Sequence, residues 1–275
     1  MKLLIAQISD LHIRPAGQLA YGVAETNVMA ERAIHALSRL RPQPDVVILT
    51  GDAADCGLDE EYAILLALLD RLPCPVHIVP GNHDRRENMR AAFAPFGKFG
   101  ARGPLNFAAD AGPLRLVGLD SLVEGASHGE LSSETLAFLE GELSAHRDRP
   151  TIVCLHHPPF VCGIEHMDRI RLLAGGEELA GIIGRHPQVE RILAGHHHRS
   201  IQARFAGTIC QIAPSVGHAV VLDLNPDGPA AFALEPPAFL LHQWSESAGV
   251  VTHTCFVDRA PGPFPFVLPP EYPGR

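Results

Sequence analysis

Short apolar runs recur along the chain at residues 3–8, 46–49, 76–79, 114–119, 151–155 and 189–194, each followed by a polar cluster. Runs of this length, bounded by Gly, Pro or Asp, offer no polar face to water and predict buried strands. Between them, residues 28–40, 60–72, 134–143 and 172–183 carry apolar positions at helical spacing. Strand and helix therefore alternate, which predicts an α/β body. Beyond Gly195 the pattern changes to β-branched and apolar runs at 201–205, 208–212, 219–224, 239–244 and 250–257. These predict hairpins, the first of which complete the main sheets. The expected organisation is a core over residues 1–225, then a β-rich extension over 226–275 that forms a flap or an oligomer contact. Its Pro-rich end, 260–275, is expected to be extended.

The residues with reactive side chains stand just after the predicted strands: Asp10 and His12, Asp52, Asn82 to Asp84, His156 and His157, and His196 to His198. In open α/β sheets the loops beyond the carboxyl ends of strands converge on one crevice, so these five positions can meet in space. Any one of them alone is a weak signal, because a single His at a strand end is usually a hydrogen-bonded structural residue. Their order and shared placement together point to one site. If residues 195–198 are extended, alternation sends His196 and His198 one way and His197 the other. The pattern alone leaves His156 and His157 equivalent.

Composition narrows the chemistry. Sixteen histidines and a formal net charge of −9 at pH 7 suit a metal-held small anion better than a long nucleic acid, whose binding draws on Lys and Arg. The six cysteines form no CxxC pair, so neither a zinc ribbon nor a disulfide framework is implied, and they read as small buried hydrophobes. The opening apolar stretch ends at Ser9-Asp10, too short for a signal segment or a membrane span. A cytoplasmic protein without a membrane partner is expected.

The series Asp10-x-His12, Gly51-Asp52, Gly81-Asn82-His83-Asp84, His156 and Gly195-His196-His197-His198 resembles the motif order of the calcineurin-like metallophosphoesterases. The resemblance covers roughly residues 2–200. It implies a four-layer α-β-β-α sandwich of two mixed sheets. It also implies one metal held by Asp10, His12, Asp52 and His198, and a second held by Asp52, Asn82, His156 and His196. Asp52 then bridges the two, and His156 rather than His157 is the ligand. Two cations about 3.5–4 Å apart supply a hydroxide that attacks phosphorus in line. In this resemblance His83 is the proton donor to the leaving alkoxide, and Asp84 orients His83 or another histidine.

A narrower resemblance, to bacterial glycerophosphodiesterases and class III cyclic-nucleotide phosphodiesterases, rests on Ile8-Ser9-Asp10-Leu11-His12, the loop 17–22 with Tyr21, residues 51–57, Pro80 to Asp84 and His156-His157-Pro158-Pro159. It implies a small phosphodiester substrate that contacts Asn82, His83, Tyr21 and His218, and subunits that associate into a homo-oligomer. Phosphoprotein phosphatases carry an Arg after Gly-Asp and a Glu after Gly-Asn-His, whereas this chain has Ala53-Ala54 and Asp84. Purple acid phosphatases carry a Tyr where Asp55 stands. Asp55 also departs from the polar amide of the glycerophosphodiesterase member. With His, carboxylate and amide ligands and no thiolate, Fe(II) and Mn(II) are the favoured pair, and Co(II) or Zn(II) also fits. The alternatives are a phosphomonoesterase or nuclease on the same site, with a basic groove at Arg14, Arg85, Arg86 and Arg90, or a non-catalytic scaffold.

Overall fold

The computed structural model describes residues 2–97 and 99–266. Its strands are β1 (Lys2–Ile8), β2 (Val46–Leu49), β3 (Val76–Ile78), β4 (Phe107–Ala111), β5 (Leu114–Gly118), β6 (Gly129–Glu130), β7 (Thr151–Cys154), β8 (Leu172–Ala174), β9 (Val189–Ala194), β10 (Ile201–Phe205), β11 (Thr208–Ile212), β12 (Ala219–Val220), β13 (Phe232–Ala233), β14 (Ala238–Ser245) and β15 (Gly249–Phe256). The helices are α1 (Thr26–Ser38), α2 (Asp59–Leu69), α3 (Arg86–Phe93), α4 (Ser133–Ala145), α5 (Glu165–Asp168) and α6 (Gly176–Arg185).

Alternation of apolar side chains along each strand builds three stacked cores. Leu3 and Ile5 of β1, Val46 and Ile48 of β2, Ile152 and Cys154 of β7 and Leu193 of β9 meet between the two main sheets. Their neighbours Ala6, Ile8, Val47 and Leu49 face the other way, onto Ala30, Ile34 and Leu37 of α1, Tyr62 and Leu65 of α2, and Met89 and Phe93 of α3. On the opposite side Val153, Leu155 and Ile192 pack against Leu139 and Leu143 of α4 and Leu179, Ile182 and Ile183 of α6. This is the four-layer α-β-β-α sandwich, with both faces of each central strand buried as the apolar runs require.

The first sheet has the order β15-β14-β1-β2-β3 and the second β10-β11-β9-β7-β5-β4. In each, a parallel centre (β1-β2-β3 and β5-β7-β9-β11) carries the site loops, and antiparallel strands close the flanks. Helix α4 starts where the Ser132 side chain accepts the Thr135 N–H.

Two expectations need correction. Residues 172–183 are not one helix: 172–174 form β8, which pairs with β6, and the helix starts only after the turn at Gly175. Of 219–224, only Ala219–Val220 is strand, because its partner β13 is just two residues long. Beyond the expected boundary at 226 the C-terminal hairpin returns to the first sheet. β14 runs antiparallel along β1 from Lys2↔Ser245 to Gln7↔Leu240, so the β14–β15 hairpin of the expected extension is a structural part of the first sheet. Residues 267–275 of the expected extended tail lie outside the described residues. Among the described residues no helix is long and apolar enough to cross a membrane.

Candidate metal centre

The loops after β1, β2, β3, β7 and β9 converge at one end of the sandwich. Asp10, His12, Asp52, His156, His196 and His198 are all buried there, with exposures of 7 % or less. Five of them adopt left-handed backbone: Asp10 (φ 55°), His12 (48°), Asp52 (48°), His196 (72°) and His198 (55°). Such geometry is uncommon for residues with a Cβ and is retained where the surrounding structure dictates it. His198 gathers with Asp10, His12 and Asp52, and His196 with His156 and His157, through this backbone rather than through extended alternation. Two glycines clear the space. A Cβ on Gly81 would stand 2.1 Å from Asp52 Oδ1, and one on Gly51 (φ 93°) would stand 2.3 Å from His156 Nδ1.

Hydrogen bonds fix which ring nitrogen faces inward. His12 Nδ1 lies 3.0 Å from the Asp55 carboxylate and His198 Nδ1 lies 2.8 Å from the His218 carbonyl. Both acceptors lack a proton, so each Nδ1 is the donor and each Nε2 is the atom turned inward. Those two Nε2 atoms face one another at 3.2 Å. His156 donates from Nδ1 to the Thr50 carbonyl (2.7 Å), which leaves its Nε2 3.3 Å from Asp52 Oδ2 and 3.2 Å from Asn82 Oδ1. His196 donates from Nε2 to the Ile170 carbonyl (2.9 Å), so its Nδ1 is the free nitrogen. Asp10 places Oδ1 3.3 Å from His198 Nε2, while its buried Oδ2 has no hydrogen-bond partner. Donor atoms converge from both sides, and cations are what such a donor set fits.

Asp52 joins the two groups through one oxygen rather than two. Its Oδ2 lies 3.7 Å from His12 Nε2 and 3.3 Å from His156 Nε2, while Oδ1 accepts the His83 backbone N–H at 2.9 Å. Burial pulls the carboxyls of Asp10 and Asp52 towards their neutral forms. The neighbouring histidines, His198 beside Asp10 and His156 beside Asp52, overcome this and hold both below the ordinary carboxylate range. Burial, helped by the neighbouring histidines, holds His196 and His157 well down, and it outweighs Asp55 in holding His12 down. His156 is the exception: burial lowers it, but the charge of Asp52 holds it up to about 9, where a cation on Asp52 would take the proton's place.

The remaining predicted residues lie around this centre. His83 donates from Nδ1 to the Asp55 carbonyl (2.8 Å) and its ring sits 4.6 Å from that of His12. Burial would lower its affinity for a proton, but Asp52 and the hydrogen bond to Asp55 raise it. His218 packs 4.6 Å from His198 and 5.0 Å from His12, and its ring contacts Tyr21 and Phe232. Tyr21 is 58 % exposed and stands at the mouth. His157 lies beside His156 and His196, with Nδ1 on the Ser121 hydroxyl and Nε2 unpartnered.

Asp84 touches no histidine. Its carboxylate accepts the backbone N–H groups of Gly81, Ala53 and Ala54 and the Tyr62 hydroxyl, so it pins two site loops together. Histidine orientation falls instead to Asp55 and to three main-chain carbonyls, of Thr50, Ile170 and His218. Three of the four arginines of the expected groove are tied to other groups. Arg14 pairs with Asp55 and Glu61, Arg86 with Asp120, and Arg90 donates to the carbonyls of Gly100 and Gly103.

The chain is similar to known proteins over most of its length. The chain is 38 % identical over 264 residues to a protein of Arcobacter nitrofigilis described as a probable glycerophosphodiester phosphodiesterase, covering 96 % of this chain and 97 % of the relative. It is 34 % identical to a probable cyclic nucleotide phosphodiesterase of Rhodopseudomonas palustris, covering 93 % of this chain and 92 % of the relative. A dimetal phosphatase from Danio rerio shares the fold at a TM-score of 0.63 with 16 % identity, covering 93 % of this chain and 99 % of that one. The family model described as calcineurin-like phosphoesterase matches residues 3–200. Every metal-donor side chain that the strand ends bring together lies within that span, and the chain belongs to the calcineurin-like phosphoesterase family.

Proposed function

We propose that the protein hydrolyses small phosphodiesters, with a glycerophosphodiester preferred and a 3',5'-cyclic nucleotide as the second substrate. The observation that carries this reading is Asp52 Oδ2 standing between two groups of inward-facing donors, 3.7 Å from His12 and 3.3 Å from His156. The preference between diesters follows the higher identity and coverage of the glycerophosphodiesterase relative.

When bound, two divalent cations supply Lewis acidity, acidified water and counter-charge for the non-bridging phosphate oxygens. Asp10, His12, Asp52 and His198 hold one, and Asp52, Asn82, His156 and His196 hold the other. Mixed imidazole and oxygen donors without thiolate favour Fe(II) or Mn(II), with Co(II) and Zn(II) compatible. His83, which keeps its proton beside Asp52 and Asp55, protonates the leaving alkoxide from Nε2. Tyr21, His218 and Phe232 form a wall beside His12 and His198 that flanks the alcohol portion of the substrate. The exposed Leu222, Leu224 and Leu234 give the segment before β14 an apolar surface for self-association.

The test is turnover of a glycerophosphodiester, cyclic AMP, bis-p-nitrophenyl phosphate and p-nitrophenyl phosphate by protein reconstituted with Mn(II) or Fe(II). Metal-dependent cleavage of the diesters, with the glycerophosphodiester fastest, is expected. Cleavage of the monoester alone by protein carrying two metals would sink the reading.

A further inference from the structure

On the other side of the turn that carries His196 and His198 lies a second group of ligand-type side chains, none of which belongs to the binuclear centre. His197 is fully buried, and neither of its ring nitrogens has a hydrogen-bond partner. A buried imidazole normally satisfies both, so an unmet ring calls for an explanation. Its nearest acid is Asp168, whose Oδ1 stands 3.9 Å from His197 Nε2, too far for a hydrogen bond. Asp168 is not free to close that gap. Its two oxygens accept the backbone N–H groups of Cys162 and Gly163, each at 2.8 Å.

Cys162 completes the group. Its sulfur, a carboxylate oxygen of Asp168 and a ring nitrogen of His197 lie within 4.8 Å of one another. Bonds of about 2.0–2.2 Å to a tetrahedral zinc ion separate a nitrogen and an oxygen ligand by about 3.3–3.5 Å, so the 3.9 Å gap lies nearer to the spacing around a shared cation than to a hydrogen bond. A thiolate and a carboxylate would carry two negative charges into a largely buried place, and a divalent ion balances them. The presence of sulfur and imidazole selects zinc over magnesium, calcium or manganese. Cys162 is only partly buried.

We propose that Cys162, Asp168 and His197 form a zinc site distinct from the binuclear centre. Zinc there ties the loop before α5 to the residue between two ligands of the catalytic metals. It thereby positions the His196–His198 turn without touching the substrate.

The test uses the full chain, stripped of metal and titrated with zinc. Wild-type protein should saturate at three zinc ions per chain and Cys162→Ala at two, counted by elemental analysis after gel filtration. Because the binuclear ligands are untouched, two ions retained in the variant separate failure of this site from failure of the hydrolase reading. A second measurement needs no variant: zinc should protect Cys162 of the wild-type chain from iodoacetamide, mapped by peptide mass, while Cys74 and Cys255 react unchanged. Manganese should give no protection. Saturation of wild-type protein at two zinc ions, or alkylation of Cys162 at the same rate with and without zinc, would overturn the proposal.

Discussion

The two halves of the binuclear centre are held by different kinds of group. Around Asp10, His12 and His198 a side-chain carboxylate, Asp55, takes the proton of His12, and only His198 is held by a main-chain carbonyl. Around Asn82, His156 and His196 both histidine protons go to main-chain carbonyls, of Thr50 and Ile170. A carboxylate can be deleted by substitution and a carbonyl cannot. The first half is therefore adjustable through side chains, while the second is tied to the course of the main chain itself.

Four substitutions probe this difference. Asp52→Ala removes the group common to both halves and should have the largest effect, with loss of both metals and of diester turnover beyond the roughly 10–100-fold typical of losing a partner of a ligand. Metal content and kinetics read it, and full retention of either metal would show that Asp52 does not join the halves. Gly51→Ala attacks the second half through its backbone. The new methyl meets His156 at 2.3 Å and the φ of 93° becomes strained, so a loss of about 1–3 kcal/mol is expected in thermal denaturation. The metal bound with His156 should weaken with it, and wild-type affinity in this variant would break the comparison.

Asp55→Ala should weaken one metal equivalent by about 10–100-fold and leave the other unchanged, as read by calorimetry. Equal weakening of both equivalents would mean the halves do not differ. The smallest effect is a control that touches neither half. His242 is buried in the C-terminal hairpin between Gln7 and Thr252, and burial, with Arg191 nearby, holds its ring down to about 3. The unfolded ring titrates near 6.5, so between those values the unfolded chain binds the extra proton. Its stabilising contribution is thus complete above about pH 6.5 and falls as the pH drops towards 3. Between about pH 7.5 and 5.5 wild type should lose about 1 kcal/mol more than His242→Gln in urea denaturation, with metal content unaltered. Parallel losses would show that His242 does not stay neutral in the fold.

What can be read from the sequence is what side chains announce. Asp10, His12, Asp52, Asn82, His156, His196 and His198 carry their chemistry in their identity, and their places after apolar runs put them at one end of a sheet. The groups that orient them leave no such trace, because a carbonyl at Thr50 or Ile170 is present whatever the residue. Helix α3 is hard to detect because Arg86, Glu87, Asn88 and Arg90 hide an apolar face reduced to Met89 and Phe93. Strand β4 is an edge in which Ala108, Ala109 and Asp110 follow the buried Phe107, with little alternation to reveal it. The break at Gly175 is concealed because Leu172 and Leu173 continue the helical spacing of α6.

The pairing of β1 with β14 also sets an order of events during synthesis. The first strand can take β2 as a neighbour early, but its other edge has no partner until residues beyond 238 have been made. At about 5–20 residues per second, that edge waits on the order of 10–50 s. Every histidine and carboxylate of the binuclear centre has emerged by residue 198, before the hairpin exists. A nascent chain can therefore present a complete set of metal donors while the strand leading to Asp10 still has one side open.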